Sequence, residues 1–321
     1  MKFLETHYDD YIQSMNKHSL HPSFQKIFTN FPQDINALHN IMFYGPRGVG
    51  KYTQMLHSIK KYSPSNLKYE KKITFVHNKN DYYLKISDIH FEVDMALLGC
   101  NSKMLWSDIF VNVIDVLSAR ISKTGIIVCK NFHKISNDLL ECFYSYIQQY
   151  DANVKIVYII MTESISFIPE NIINTFNIIS VPRPSKCAYN KILDTKLPPK
   201  FAINSITNIK NIITNTSDII ENHNIYIDKL YHLICNSGNI KFINFRDMLY
   251  DIFIYDIDIG YIIWNLLYKL HAKNNITNMD VISNIFIDTY TFFQYYNNNY
   301  RPIYHLENYL YKIINKIHGF Q

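Results

Sequence analysis

The sequence predicts an α/β domain built on a parallel sheet, followed by a region that is entirely helical. Between residues 41 and 182, short apolar runs alternate with segments of helical periodicity, as is typical of βαβ units. After Pro182-Arg183-Pro184-Ser185 the strand pattern stops, and Ile, Leu and Tyr recur at helical spacing. We therefore place the end of the α/β domain near residue 185.

The first segment that carries chemistry follows the first predicted strand, Ile41–Tyr44. It reads Gly45-Pro46-Arg47-Gly48-Val49-Gly50-Lys51-Tyr52-Thr53, and a helical stretch runs from Lys51 to about Tyr62. A strand, a glycine-rich loop and a helix in this order are the context of a phosphate-binding P-loop. Glycines let successive N–H groups and the helix N-terminus point at a phosphate. The segment therefore predicts binding of ATP or ADP, with Lys51 at the outer phosphates.

The remaining elements of the α/β domain follow from apolar patterning. Met104–Ala119 has Leu105, Ile109, Val113 and Val116 at helical spacing, and Ser136 is the predicted N-cap of a helix that ends near Tyr150. The continuous apolar run Val154–Met161 predicts a buried central strand. Further strands are predicted at Ile73–His77, Tyr82–Asp88, His90–Asp94, Gly125–Cys129 and Asn177–Val181.

The metal-binding half of the nucleotide site departs from the P-loop pattern. The residue after the lysine is normally Ser or Thr, whose hydroxyl binds Mg²⁺, but here it is Tyr52. Thr53 follows, and a helix turns about 100° per residue, so its hydroxyl points elsewhere. An acidic pair should end a neighbouring strand, yet Lys130 and Asn131 follow Gly125–Cys129. We expect poor Mg²⁺ binding and little hydrolysis.

Lys130 allows two interpretations. Its ammonium could stand where the metal would and offset phosphate charge, or it could be an ordinary solvated lysine at a strand end, which is the commoner case. Asp88, Glu92 and Asp94 are the carboxylates near an earlier strand end, but on a different strand from the expected one.

Composition sets broad limits. The chain has 321 residues, enough for two or three compact domains, and 48% apolar residues, too many for a disordered chain. A formal charge of +5 permits contact with nucleic acid without requiring it, because basic residues are spread out. Cys100, Cys129, Cys142, Cys187 and Cys235 form no CxxC pair, and the 13 histidines form no zinc motif. The start of the chain does not read as a signal peptide, and no apolar run reaches membrane-spanning length, so we expect an intracellular protein.

At this point the chain resembles the small subunits of replication factor C, the eukaryotic sliding-clamp loader of the AAA+ family. The likeness runs from about Ile41 to the C-terminus and is strongest to the subunit at the last position of the five-subunit arc. Those subunits also have one residue between the P-loop lysine and a threonine, like Lys51-Tyr52-Thr53. The other matching segments are His90-Phe91-Glu92-Val93-Asp94, Phe132-His133-Lys134-Ile135-Ser136-Asn137-Asp138 and Ile303-Tyr304-His305-Leu306-Glu307.

The resemblance implies three parts: an α/β P-loop AAA+ domain over residues 1–185, a small helical lid over 186–222, and an all-helical collar over 223–321 that joins a heteropentamer. It also implies the task of loading a sliding clamp onto primer–template DNA with ATP, together with other clamp-loader subunits. Such a protein acts in the nucleus, or at a viral or cytoplasmic site of DNA replication. No membrane partner is implied.

Several of the family's functional positions have changed. The acidic pair falls on Lys130 and Asn131, the arginine finger on Thr175, the sensor asparagine on Thr162 and the lid arginine on Lys210. The paired basic residues that would follow DNA phosphates fall on Tyr144 and Ser145. The resemblance therefore predicts a scaffold subunit without hydrolytic activity. The alternatives are a stand-alone catalytic AAA+ ATPase and an interaction protein with a relic P-loop.

Overall fold

The computed structural model of the protein divides into two compact units, Met1–Ile213 and Thr214–Gln321. The structure describes residues 7–17, 19–77, 80–99, 101–149, 154–193, 196–197, 203, 206, 222–236, 241–254, 257–273, 278–296 and 301–319. The predicted boundaries between domain, lid and collar, at residues 185 and 222, stay predictions.

The first unit contains a seven-stranded sheet with the order β2-β3-β4-β5-β6-β1-β7. Its strands are β1 (Ile41–Tyr44), β2 (Lys71–His77), β3 (Asn80–Ile86), β4 (His90–Asp94), β5 (Thr124–Lys130), β6 (Lys155–Thr162) and β7 (Asn177–Ser180). The neighbouring strands β4, β5, β6, β1 and β7 pair in parallel. Strands β2 and β3 form an antiparallel hairpin on one edge of the sheet. The predicted strands are all present, with ends shifted by a few residues.

The central strands are apolar on both faces because both faces are covered. Along β1, Ile41 and Phe43 belong to one hydrophobic cluster, and Met42, between them, belongs to the other. Successive side chains of a strand point to opposite faces, so this alternation places a core on each side of the sheet. Cys129 is buried, as expected for a small core residue, while Cys142 is only partly buried.

The helices of this unit cover the sheet. They are α1 (Tyr8–Lys17), α2 (Phe24–Thr29), α3 (Lys51–Ile59), α4 (Ser102–Ser118), α5 (Asn137–Gln148), α6 (Glu170–Ile173) and α7 (Lys186–Asn190). In α4 the predicted stripe is buried except for Val116, and Leu117 takes the buried place beside it. Ser136 caps α5 as predicted, since its Oγ accepts a hydrogen bond from Leu139 N at 3.3 Å.

The second unit is helical throughout its described residues. It comprises α8 (Asn222–Cys235), α9 (Phe242–Ile254), α10 (Ile259–Ala272), α11 (Met279–Tyr296) and α12 (Pro302–His318). The predicted core stripe of α10 is buried at every position: Ile259, Ile262, Ile263, Leu266, Leu267 and Leu270. Within this core, Thr289 and Tyr309 share a hydrogen bond of 2.8 Å. No described helix is both long and apolar enough to cross a membrane.

Candidate functional site

The loop between β1 and α3 has the backbone of a phosphate cradle. Gly48 and Gly50 have φ angles of 71° and 90°, a region that side chains strain to adopt. Gly45 is needed for a different reason: a Cβ there would lie 2.2 Å from the carbonyl oxygen of Val181. Helix α3 begins at Lys51, so its N-terminal N–H groups face the loop. Glycines at these places are what the local geometry requires.

Lys51 is partly buried and lies across the loop. Its Nζ donates hydrogen bonds to the carbonyl oxygens of Gly45 at 2.5 Å and Pro46 at 2.8 Å. Burial lowers the pKa of Lys51 to about 8, although the carboxylate of Glu163 opposes this shift. An arriving phosphate would draw this ammonium toward itself and keep it protonated.

Residues before β1 also contact the cradle. The buried ring of His21 donates from Nε2 to the carbonyl oxygen of Val49 at 2.7 Å, and it stacks on Phe24. A Cβ on Gly50 would lie 3.8 Å from Cδ1 of Leu20. Leu20 and His21, in a part of the sequence to which no role was assigned, therefore support one wall of the loop.

Tyr52 occupies the position of the metal-binding hydroxyl, and its phenol is not free. The Tyr52 hydroxyl donates a 2.7 Å hydrogen bond to Oε1 of Glu92, which lies on β4 and is fully buried. Nζ of Lys130, at the end of β5, lies 3.1 Å from Oε2 of Glu92 as an ion pair outside good hydrogen-bond geometry. His90 Nε2 lies 3.2 Å from Oε1. We call these four residues, Tyr52, His90, Glu92 and Lys130, the Glu92 network.

The electrostatics of the Glu92 network favour an ionised carboxylate. Burial by itself raises the pKa of Glu92, but the hydrogen bond from His90, the charge of Lys130 and the Tyr52 hydroxyl lower it to about 2. Burial, with the Glu92 charge next in importance, raises the pKa of Tyr52 far above its usual value, so the phenol stays a donor. The network is therefore a compensated buried ion pair.

Helix α1 covers the Glu92 network on one side. The Tyr11 ring meets the Tyr52 ring edge to face, with 4.9 Å between centroids, and the Tyr8 ring lies 5.1 Å from His90. Tyr8 and His90 are almost completely buried. This packing excludes water from the carboxylate, which strengthens its ion pair and hydrogen bonds.

The second degenerate acidic position, Asn131, also has a partner. It is in the left-handed region at φ 51°, and its Nδ2 donates to both carboxylate oxygens of Asp94 at 3.0 Å. Asp94 and Lys130 are direct neighbours across the β4–β5 ladder. Lys130 itself is about a quarter exposed and paired. Lys130 is therefore paired with Glu92 and only partly solvated, and its role toward a bound nucleotide stays a prediction.

A second charged group lies at the opposite edge of the loop. Nε of Arg47 donates to both oxygens of Glu163, at 3.0 and 3.1 Å. His133, which follows β5, places Nε2 at 3.7 Å from Oε1 of the same carboxylate. Burial lowers the pKa of His133, with Glu163 acting against that shift. Glu163 thus pairs with the Arg47 guanidinium and lies beside the His133 ring, whose lowered pKa favours its neutral form.

The remaining predicted positions are engaged locally. The buried Thr162 hydroxyl donates to the carbonyl oxygen of Ser164 at 2.6 Å, and its own carbonyl accepts from Gly45 N at 3.2 Å. The Thr175 hydroxyl donates to the Ile172 carbonyl at 2.7 Å. Thr53 lies in the first turn of α3, and Lys210 lies outside the described residues.

Sequence reasoning missed Glu92 and Glu163 as site residues. Glu92 was set aside because its strand, β4, is not the strand expected to carry the acidic pair. However, β4 lies directly beside β5, and the long Tyr52 side chain reaches Glu92. Glu163 directly follows the buried strand β6. A carboxylate at the end of a parallel strand was the signal that could have identified it.

Comparison with known proteins gives distant structural likenesses. No protein-family model matches the sequence, and no curated protein matches it significantly. Among solved structures, the chain is similar to a point mutant of RuvB from Thermotoga maritima, with 13% identity, a TM-score of 0.33, and coverage of 58% of this chain and 52% of that one. It is also similar to C. elegans PCH-2, with 11% identity, a TM-score of 0.33, and coverage of 57% and 44%. The chain thus spans about half the length of these structures.

Such scores do not identify a family. What the chain itself shows is a mixed, mainly parallel sheet with flanking helices and a second unit built of helices. The assignment of the site rests on its own geometry.

Proposed function

We propose that the chain is a nucleotide-binding P-loop subunit that has lost hydrolysis and serves as a scaffold in a clamp-loader-like assembly. The observation that carries the proposal is the Glu92 network. It combines the side chain that replaces the metal-binding hydroxyl, Tyr52, with the side chain that replaces the acid, Lys130. A cation is supplied by the protein where a divalent metal would be expected.

The donor set at this position does not suit Mg²⁺. Magnesium needs oxygen ligands in octahedral geometry and usually binds one or two carboxylates plus phosphate. The Glu92 carboxylate already accepts from Tyr52 and pairs with Lys130 and His90, and Asp94 accepts from Asn131. An ammonium so close would repel a divalent cation. The phosphate cradle, in contrast, has the glycine conformations and the lysine that ATP or ADP requires.

The assembly role comes from the resemblance to replication factor C small subunits, and the second unit supports it. Its helices expose large aromatic side chains: Trp264 is 50% exposed, and Tyr268 and Tyr290 are each 73% exposed. Exposed apolar surface of this kind is common at subunit interfaces. The implied partners are other clamp-loader subunits, a sliding clamp and primer–template DNA, at an intracellular site of DNA replication.

The test of the site is nucleotide binding with and without metal. We expect the purified chain to bind ATP or ADP equally well with Mg²⁺ and with a chelator, and to lose binding in Lys51→Ala and in Lys130→Asp. Steady-state ATP turnover should be absent. Turnover that Lys51→Ala abolishes would overturn the proposal.

The test of the assembly role is purification of the complex from the native source. We expect co-purification of other P-loop subunits and of a ring-shaped clamp. If the assembled complex grips DNA through phosphates, its affinity should fall steeply with rising salt. Purification as a monomer without these partners would contradict the assembly role but leave the nucleotide site intact.

A second candidate is a stand-alone catalytic P-loop ATPase. The observation that favours it is Glu163, a carboxylate beside His133 at the edge of the cradle, where a base could orient water. Metal-dependent turnover by the isolated chain would support this candidate. A third candidate, an interaction protein with a relic P-loop, predicts no binding at millimolar nucleotide.

A further inference from the structure

Glu163 lies at a fixed place on the edge of the phosphate cradle. It directly follows Thr162, the last residue of β6, and the Thr162 carbonyl accepts a hydrogen bond from Gly45 N at 3.2 Å. The end of the strand and the start of the loop are therefore held together. The backbone of Glu163 is thus held beside the loop, and its carboxylate is held there by two hydrogen bonds from Nε of Arg47.

The carboxylate faces Arg47, a cation of the loop that a polyphosphate would meet. Arg47, within the loop, donates from Nε to both Glu163 oxygens at 3.0 and 3.1 Å, and His133 lies 3.7 Å away. Glu163 also acts on the Lys51 ammonium, favouring its charged form. In a P-loop this lysine meets the outer phosphates. Glu163 therefore lies on the side of the cradle where the outer phosphates would bind.

We infer that Glu163 sets the preference of this P-loop between nucleoside diphosphate and triphosphate, disfavouring the triphosphate, while Arg47 offsets part of that effect. This inference rests on the proposed nucleotide binding. A triphosphate brings one further phosphate, with its negative charge, to the end of the cradle that Lys51 serves. Repulsion by a fixed carboxylate there weakens the triphosphate more than the diphosphate. The guanidinium against Glu163 reduces this repulsion without removing it, because the two charges occupy different places.

The experiment measures Kd for ATP and for ADP in the full chain, with chelator present, for the wild type and three variants. In Glu163→Gln we expect the ratio of ADP affinity to ATP affinity to fall about tenfold, because one negative charge is gone. In Arg47→Gln the carboxylate loses its counter-ion, and the ratio should rise by a similar factor. The double variant removes both charges and should return to within about threefold of the wild-type ratio.

A matched control is Glu307→Gln, which breaks another Arg–Glu pair, the 2.8 Å contact between Arg246 and Glu307 in the helical unit. It should leave the ATP-to-ADP ratio unchanged. The ratio of affinities is used because a general loss of folding or of loop order weakens the binding of ATP and of ADP together. If either Glu163→Gln or Arg47→Gln does not fold, the other variant still gives a change of defined sign in the affinity ratio.

A ratio that changes less than threefold in Glu163→Gln, or equal tightening of both nucleotides, would overturn the inference. So would shifts of the same sign in the two single variants. If the wild type binds neither nucleotide at millimolar concentration, the proposed function fails first, which is a distinct result.

Discussion

The Tyr52 hydroxyl donates a 2.7 Å hydrogen bond to Oε1 of the buried Glu92. We expect Tyr52→Phe to lower the free energy of unfolding by about 1.5–3 kcal/mol, because it removes a hydrogen bond to a charged, desolvated acceptor. Tyr62→Phe is the matched control, since it removes a 2.7 Å bond from a tyrosine to the neutral carbonyl of Pro32, and it should cost about 1 kcal/mol. Urea unfolding of both variants measures the difference; equal costs would contradict a special role for the Glu92 contact.

Acid should destabilise the first unit through Glu92. Its pKa falls from 4.5 to about 2 on folding, so its contribution is fully present above pH 4.5 and is lost as the pH falls toward 2. The contribution at neutral pH is roughly 3 kcal/mol. We expect Glu92→Gln to be less stable at pH 7 and to show a flatter decline of stability over this acidic range. A decline as steep as that of the wild type would mean that another group controls acid unfolding.

Loss of the ammonium partner should also destabilise the fold. Lys130→Met leaves the buried Glu92 carboxylate without its ammonium partner. Breaking a fully buried ion pair costs about 3–5 kcal/mol, and because Lys130 is about a quarter exposed, we expect about 2–3 kcal/mol. In Lys130→Met/Glu92→Gln the loss should be smaller than the sum of the two single losses. Additive losses, measured by a double-mutant cycle, would show that the two side chains do not interact.

Nucleotide affinity should fall above pH 8. Burial lowers the pKa of Lys51 to about 8, and a bound phosphate needs the charged form. Affinity is therefore complete below this pH and should fall about tenfold for each further unit. Lys51→Met should bind more weakly at every pH, and its affinity should not change between pH 7 and 9. A pH-independent Kd in the wild type would contradict the assignment of Lys51 to phosphate.

Gly45→Ala should disrupt the cradle. A Cβ at this position would lie 2.2 Å from the Val181 carbonyl oxygen, a backbone atom that cannot rotate away. We expect a loss of about 1–3 kcal/mol in unfolding free energy and a clear loss of nucleotide binding. Gly260→Ala is the control: near a helix start, its Cβ would meet the Asp258 side chain at 3.2 Å and the Phe293 ring at 4.0 Å, but no backbone atom at such close range. Thermal unfolding and nucleotide titration of both variants provide the comparison.

The sequence predicted the central strands well because they are buried on both faces. The antiparallel pairing of the exposed hairpin β2–β3 departs from the parallel sheet that the sequence predicted. A continuous apolar run such as Val154–Met161 indicates a buried strand with little ambiguity. The P-loop likewise indicates a strand before it, β1, and a helix after it, α3. The α4 stripe was predicted with one error, at Val116, because a helical period does not distinguish neighbouring positions at the edge of a face.

The site was only partly predictable. The spacing of the P-loop residues identified Lys51, and the sequence showed that Tyr52 and Lys130 replace metal-binding side chains. It could not show that Tyr52 and Lys130 both contact Glu92. That contact depends on the order of strands β4 and β5 and on the length of a tyrosine side chain. Arg47 and Glu163 are 116 residues apart in sequence, so their pairing follows from tertiary structure alone.

In the function that we propose, Lys130 stands where an acidic residue would hold a metal, and this makes a return to metal binding difficult. Changing Lys130 alone to aspartate would set two carboxylates against each other in a dry pocket, whereas changing Glu92 alone would strand the ammonium and leave Tyr52 in place. Each first step back therefore costs stability before any catalytic gain can be selected. A lineage that has adopted this arrangement is expected to keep it.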